Sequence, residues 1–497
     1  MRHLILSLFL VLIGLLSPVT AHAAEPGAFE TPIESALPDS VTYTNGALPH
    51  TKIVTQDANT LRAVLDWNSF NIGRDAAVEF KQLAGSGSVT VNRVVGGGTD
   101  PSKILGKLTA NGTVVILDPN GVIFGTDAVI DVGGIVASTG RLTNQTAFEA
   151  GQDMMLLADM DAVAGAAVIN HSTQFTVRDR GLAAFVAPAV QNKGIITAHL
   201  GHVILASGKA ATLDFYGDRM INIAVTEGLA AALPAGSAPI DNSGKIIASG
   251  GTVQMTARAA STAIDKLINS NGLVVATKAE GRNGKIILSN GAQTKTLENS
   301  IRVGQNSRIQ EALDMAPDGT AIHINEGIYR ESLTITKPVA LQAYQTAESV
   351  TLWGKDGQAT ITVNAPNVEI SGLAFLYGLN GILAQNADGL FVHDSVFNGA
   401  ASHAIDLTNT RPFNDLNTDT SNIFISIGGK NVFFNAAAGA STPDNSRIFN
   451  TPVFGGFGSA PLVIEQVGMD VSALAALAPA AGDHHCANGS GAGCGGN

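Results

Sequence analysis

With 497 residues, 55 of them Gly, and only 5% aromatic and 14% charged residues, the chain has strand-and-turn chemistry, and a helical bundle is excluded as the expected class. Its formal charge of −12 supplies no basic field to neutralise phosphates, so no nucleic-acid partner is expected. The only cysteines are Cys486 and Cys494, near the end, so packing and backbone hydrogen bonds rather than disulfides must hold the body together. The chain opens on Arg2 and His3, runs through an apolar stretch over residues 4–16, and reaches Ala21-His22-Ala23. That is the three-part pattern of a secretory signal peptide, with cleavage expected after Ala23. Ser17 and Pro18 break the run before it reaches the roughly 20 apolar residues a membrane span needs. The mature chain is therefore expected to be exported and soluble.

Spaced motifs fill residues 31–139. Trp67-Asn68-Ser69-Phe70-Asn71-Ile72-Gly73 is followed by Asn92-Arg93-Val94, then by Asp100-Pro101-Ser102, Ala110-Asn111-Gly112 and Asp118-Pro119-Asn120-Gly121-Val122-Ile123-Phe124-Gly125. Gly133-Gly134-Ile135-Val136-Ala137-Ser138-Thr139 closes the series. As a set they resemble the secretion domain of two-partner-secretion exoproteins of the filamentous-haemagglutinin type. That family usually has Asn where Asp118 stands, a mild departure because both residues support side-chain-to-backbone turns.

The resemblance implies that these motifs shape the first coils of a β-helix and are recognised by a dedicated outer-membrane pore of a Gram-negative cell. The residues it marks are Asn68, Phe70, Asn71, Asn92, Arg93, Asn111, Asp118, Pro119, Asn120 and Gly121. Pro119 and Gly121 also read as plain turn formers, and Asn68, Asn71 and Asn120 are expected to make the contacts.

Further along, Asn192-Lys193-Gly194-Ile195, Asn242-Ser243-Gly244-Lys245 and Ser270-Asn271-Gly272-Leu273 each open a short apolar strand, and another Gly and an alternating strand follow. Residues 307–316 have helical spacing and end at Asp318-Gly319, which predicts a short helix capping a second stack. Residues 309–335 resemble the opening of pectate-lyase-like β-helices. Beyond them, Asn364-Ala365 recurs 22 residues later as Asn386-Ala387, and Phe375 recurs as Phe397. Repeats this short predict a parallel β-helix, with Phe375 and Phe397 stacked inside it. Its open ends need covers, for which the N-terminal region and the tail after Ser441 are the candidates.

The predicted fold is therefore all-β, a right-handed parallel β-helix with an N-terminal cap and short accessory helices. Its expected divisions are a signal peptide (1–23), a two-partner-secretion domain (24–150), β-helix repeats (151–300), a second, pectate-lyase-like stack (301–440) and a tail with a cysteine pair (441–497).

For chemistry, a β-helix lyase or hydrolase needs clustered carboxylates on one face. The candidates are His393, Asp394, His403 and Asp406, but no carboxylate occupies the position one coil before Asp394, where Gly372 stands. His323 reads as a structural histidine. Cys486 and Cys494 are expected to form a disulfide loop similar to that of surface-retained two-partner adhesins; metal binding with His484 and His485 is the rival. The leading expectation is an extracellular or surface-bound adhesin that uses a pore as partner, binds a glycan or cell-surface receptor, and needs no cofactor. A secreted carbohydrate-active enzyme is the alternative, and a toxin-delivery stalk the third reading.

Overall fold

The computed structural model describes residues 37–435, apart from 153, 215–221, 230–237, 259–263, 346–348, 409 and 411–421. Strands of mostly three to six residues alternate inward apolar and outward polar positions, and each pairs in parallel with its equivalent one coil away. The chain is thus a parallel β-helix. The repeats predict the register: Ile195 pairs with Lys245 and Lys245 with Leu273, while Val203 pairs with Val253 and Val253 with Ile286.

A 14-stranded sheet runs from Val41–Asn45 to Phe391–His393 and passes through both stacks. In the first stack it is joined by a nine-stranded and a six-stranded sheet, which together enclose one core. Inside it, Phe124, Phe175 and Phe185 pack with ring centroids 5.1–5.7 Å apart. The buried Asn170, Asn192 and Asn242 form a ladder at one corner. Asn170 Nδ2 donates to Asn192 Oδ1, and Asn192 Nδ2 to Asn242 Oδ1, both at 2.8 Å. At the start, Val41–Asn45 pairs antiparallel with Thr51–Gln56 and closes the edge of the long sheet.

The nine-stranded sheet departs from alternation. Strands such as Gly134–Ser138 and Leu182–Val186 are buried at every position. A separate antiparallel sheet covers their outer face. It is built from Arg141–Leu142, Met154–Ala158, Ala210–Asp214 and Asn222–Glu227 and packs Leu142, Met155, Leu157 and Leu213 onto Val91, Val115, Val136 and Ile204. Phe148, on the helix Gln145–Glu149, completes this layer. Sheets and core continue without a break across residue 150.

The stacks change over at Leu273–Ala276. The next strand of the long sheet, Ser300–Val303, runs antiparallel to it, and from there the strands are parallel again. If the interior stayed on the same face, this reversal would invert the hand of the coil. Instead the interior changes face: Val274 and Ala276 point into the first core, and Leu273 and Val275 into the second. One strand is therefore shared by two cores, and the winding keeps its hand.

The predicted helix is present as Ile309–Met315 and places Ile309, Ala312 and Leu313 at the opening of the second core, with Lys245 paired to Glu311. On the far side of the long sheet, Tyr344 lies between Lys295 (3.6 Å) and Arg302 (4.0 Å). His323 sits beside it, and burial together with those two cations pushes its pKa down to about 4. In the second core Phe375 and Phe397 stack as expected, 4.5 Å apart and 8° from parallel, and Phe424 extends the column at 5.3 Å. The tail after Ser441 lies outside the described residues.

Candidate functional site

Successive coils of the first stack bend at one corner, and the spaced motifs meet there. After Arg62–Trp67 the chain turns through Asn68 to Asn71. Phe70 is buried with its ring edge-on to Trp67 at 5.0 Å, and Asn71 Oδ1 accepts the Lys103 amide at 2.9 Å. Asn68 is exposed.

On the next coil, Val89–Val94 carries Asn92 inward and Arg93 to the rim. Asn92 is fully buried; its Oδ1 accepts Trp67 Nε1–H at 3.1 Å and its Nδ2 donates to Val115 O at 3.1 Å. Arg93 forks onto Asp66 at 2.7 and 3.0 Å and donates to Gln145 Oε1 at 2.8 Å. Gly96 then lies so close to Asn68 that a Cβ would stand 2.1 Å from the Asn68 carbonyl oxygen, so this position needs Gly.

One coil later, Asp118 to Gly121 make the turn. Asp118 Oδ1 accepts the Asn120 amide at 2.9 Å, the Asp118 carbonyl accepts the Gly121 amide at 2.9 Å, and Asp118 Oδ2 accepts the Ser102 hydroxyl at 2.7 Å. Burial raises the Asp118 pKa above the ordinary carboxylate value, and the hydrogen bonds from Ser102 and Asn120 pull the other way. Gly121 has φ +115°, and a Cβ there would meet Ala167 O at 2.5 Å. Asn120 Nδ2 reaches back to Gly98 O at 3.0 Å and ties this turn to the preceding one.

Between these turns lies a groove of about 440 Å³. Arg93, Val95, Gly98, Pro119, Asn120, Arg141 and Leu142 are among the residues lining it. Arg141 is exposed and enters no ion pair among the described residues, whereas Arg93 is already neutralised by Asp66. The groove therefore presents one available cation beside the half-exposed Val95, an arrangement suited to holding a chain segment with an apolar and an acidic side chain. The structure brings Arg93, Pro119 and Asn120 together with Arg141, which the motif reading did not single out; the Gly96-Gly97-Gly98 run after Asn92-Arg93-Val94 was its available signal.

Asn111 lies elsewhere. It exchanges two 2.8 Å hydrogen bonds with the Gln82 backbone. The buried Gln82 side chain bonds in turn to the Gly112 amide, the Thr90 hydroxyl and Thr113 O. Asn92, Phe70 and Asp118 are buried, so their geometric role is to fix turns.

In the second stack, His393 Nδ1 lies 2.7 Å from Asp394 Oδ2 and its Nε2 lies 3.3 Å from Glu369 Oε1, with Phe391 stacked on the imidazole at 4.3 Å. Glu369 was not anticipated; it stands 24 residues before His393, close to the period of one coil. Asp406 belongs to a different sheet, in Ile405–Thr408, and His403 packs on Phe433. The fold thus does not unite Asp394 and Asp406. Burial raises the Asp406 pKa, and His403 opposes the shift. Among the described residues, no group of three or more His, Cys, Asp or Glu could hold a metal ion. Cys486, Cys494, His484 and His485 lie outside the described residues.

The family model of the TPS secretion domain matches residues 34–303. Two curated relatives, each a heme/hemopexin-binding protein of Haemophilus influenzae, are similar to this chain. One is 34% identical over 240 residues, which is 48% of this chain and 25% of the relative. The other is 30% identical over 321 residues, 61% of this chain and 32% of the relative. The chain thus spans a quarter to a third of the length of these relatives. The crystal structure of the HMW1 secretion domain from Haemophilus influenzae is 20% identical, with a TM-score of 0.43 over 80% of this chain and 98% of that one.

Proposed function

Since the chain belongs to the exoproteins with a two-partner-secretion (TPS) domain, we propose that the groove beside Arg141 and Asn120 is where a partner pore of the outer membrane recognises it, and that its later coils bind a ligand at the bacterial surface. The observation that carries the first part is the convergence of the Asn92-Arg93-Val94 and Asp118-Pro119-Asn120-Gly121 turns on one groove with an available cation. The exposed or half-exposed Pro119, Asn120 and Arg141 of the groove make the contact, and Asn68 and Asn71, on the turn of the preceding coil outside the groove lining, extend it. The buried Phe70, Asn92 and Asp118 hold the turns in place, and Asn111 does so at another corner. Residues 1–23 direct export, and a bond between Cys486 and Cys494 keeps the chain tethered as an adhesin. The heme and hemopexin of the relatives' names are not assigned to this chain, because the matched part is a minor share of those proteins.

The test is secretion from a Gram-negative host that co-expresses the pore. Asn120→Ala combined with Arg141→Glu should lower secreted protein at least tenfold, whereas Arg178→Glu, at a separate groove beside Asn111, should not. The purified groove variant should unfold within about 0.5 kcal/mol of the parent, as surface substitutions do. Normal secretion of the groove variant would overturn the assignment.

A further inference from the structure

The second stack carries an aromatic platform on its outer surface. Trp353 ends the strand Val350–Trp353, and Tyr377 follows the strand Leu373–Leu376 on the next coil; their ring centroids are 5.0 Å apart with planes at 54°. The Arg330 guanidinium lies over the Trp353 ring at 4.4 Å. All three stand outside the core: Trp353 and Tyr377 are half-buried, Arg330 is exposed, and Ile328 and Leu379 near them are exposed apolar residues. Arg330 enters no ion pair among the described residues.

Two further features make this more than a chance cluster. Tyr377 has φ +62°, a backbone conformation that bulky side chains rarely hold and that tends to occur where a side chain is aimed for function. The equivalent position on the next coil is Gly399, whose Cβ would stand 3.0 Å from Tyr377 Cδ1. Tyr377 stands one residue beyond Leu376, the register partner of Trp353, and at Gly399 the next coil brings no side chain over its ring.

The exposed part of an aromatic ring stacks against the apolar C–H face of a sugar ring, and a planar guanidinium forks onto a carboxylate. Arg330 and Tyr377 are two coils apart, about 9.6 Å at the ~4.8 Å strand spacing. We propose that this platform binds a polysaccharide bearing uronic acids, with one sugar ring stacked on Tyr377 and the carboxylate of a neighbouring unit held by Arg330. The proposal rests on the surface-binding reading above and gives it a ligand class.

The test uses the full mature chain, with hyaluronate as the acidic probe and dextran as the neutral control, in equilibrium binding at low and high salt. Tyr377→Asn suits the left-handed backbone, so the thermal midpoint should hold while hyaluronate affinity falls at least tenfold. Tyr377→Phe should retain binding. Arg330→Ala should bring hyaluronate down to the dextran level and remove its salt dependence. Unchanged binding by Tyr377→Asn, or equal binding of the two polymers by the parent chain, would overturn the proposal. The same variants are scored for secretion, so a parent chain that is secreted but ignores hyaluronate sinks this inference and leaves the pore assignment standing.

Discussion

Truncation of Asn92 to Ala separates a residue that sets the fold from one that makes contacts. The side chain is fully buried; its closest partners are the Trp67 indole N–H and the Val115 carbonyl, each at 3.1 Å, and its Nδ2 also donates to Thr90 O at 3.4 Å. Each of the two closest partner groups left unpaired costs roughly 1–3 kcal/mol, about 2–6 kcal/mol together, and water entering the vacated space recovers part of that, so the expected loss is about 2–4 kcal/mol. Asn120→Ala removes only a rim bond to Gly98 O and should cost about 0.5 kcal/mol or less. Urea unfolding of the purified mature chain, followed by tryptophan fluorescence, measures both. Trp67→Phe with Asn92→Leu removes donor and acceptor together, and should cost less than the sum of the single changes by about 1 kcal/mol. Additive losses, or an Asn92→Ala midpoint no lower than that of Asn120→Ala, would refute the reasoning.

Asp118→Asn restores the residue usual in the motif and removes a carboxylate whose pKa is raised by burial. A raised carboxyl favours the folded state when protonated, and that contribution is lost as pH rises through its folded value. The variant should therefore be as stable as the parent or more so at neutral pH, with a flatter stability profile above pH 4, readable by thermal melts across pH. Gly121→Ala forces a Cβ to within 2.5 Å of Ala167 O at φ +115° and should cost about 2 kcal/mol or more, seen as a lower urea midpoint and less secreted chain. Asn192→Leu breaks the ladder in its middle and leaves the amide of Asn170 and the carbonyl of Asn242 without that partner. It should cost about 2–4 kcal/mol and speed hydrogen exchange in Ile195–Ala198 and Lys245–Ile247.

Much of the coil architecture was legible because its period is written in residue types. The Asn192, Asn242 and Ser270 repeat marks equivalent positions, the 22-residue recurrence brings Phe375 onto Phe397, and helical spacing foretold Ile309–Met315. The antiparallel cover was not legible. Its strands lie as far apart as Arg141 and Glu227, and the alternation in Met154–Ala158 is the same as that of a coil strand. The sign was indirect: the uniformly apolar Leu182–Val186 can only be a strand buried on both faces. At the groove, sequence pointed to Arg93, Pro119 and Asn120 but not to Arg141, which arrives from the following coil. Nor does residue type encode the direction of a strand, so the reversal at Ser300–Val303 had no signature beyond an arginine within an apolar run.

That reversal makes one strand the wall of two interiors. Leu273 and Val275 are an outer face of the first stack and an inner face of the second, so the first stack, once wound, exposes the apolar template on which Ile301 and Val303 settle. Cutting the chain between the stacks would therefore uncover an apolar strip on each half, so the two stacks are bound into one unit by a single strand.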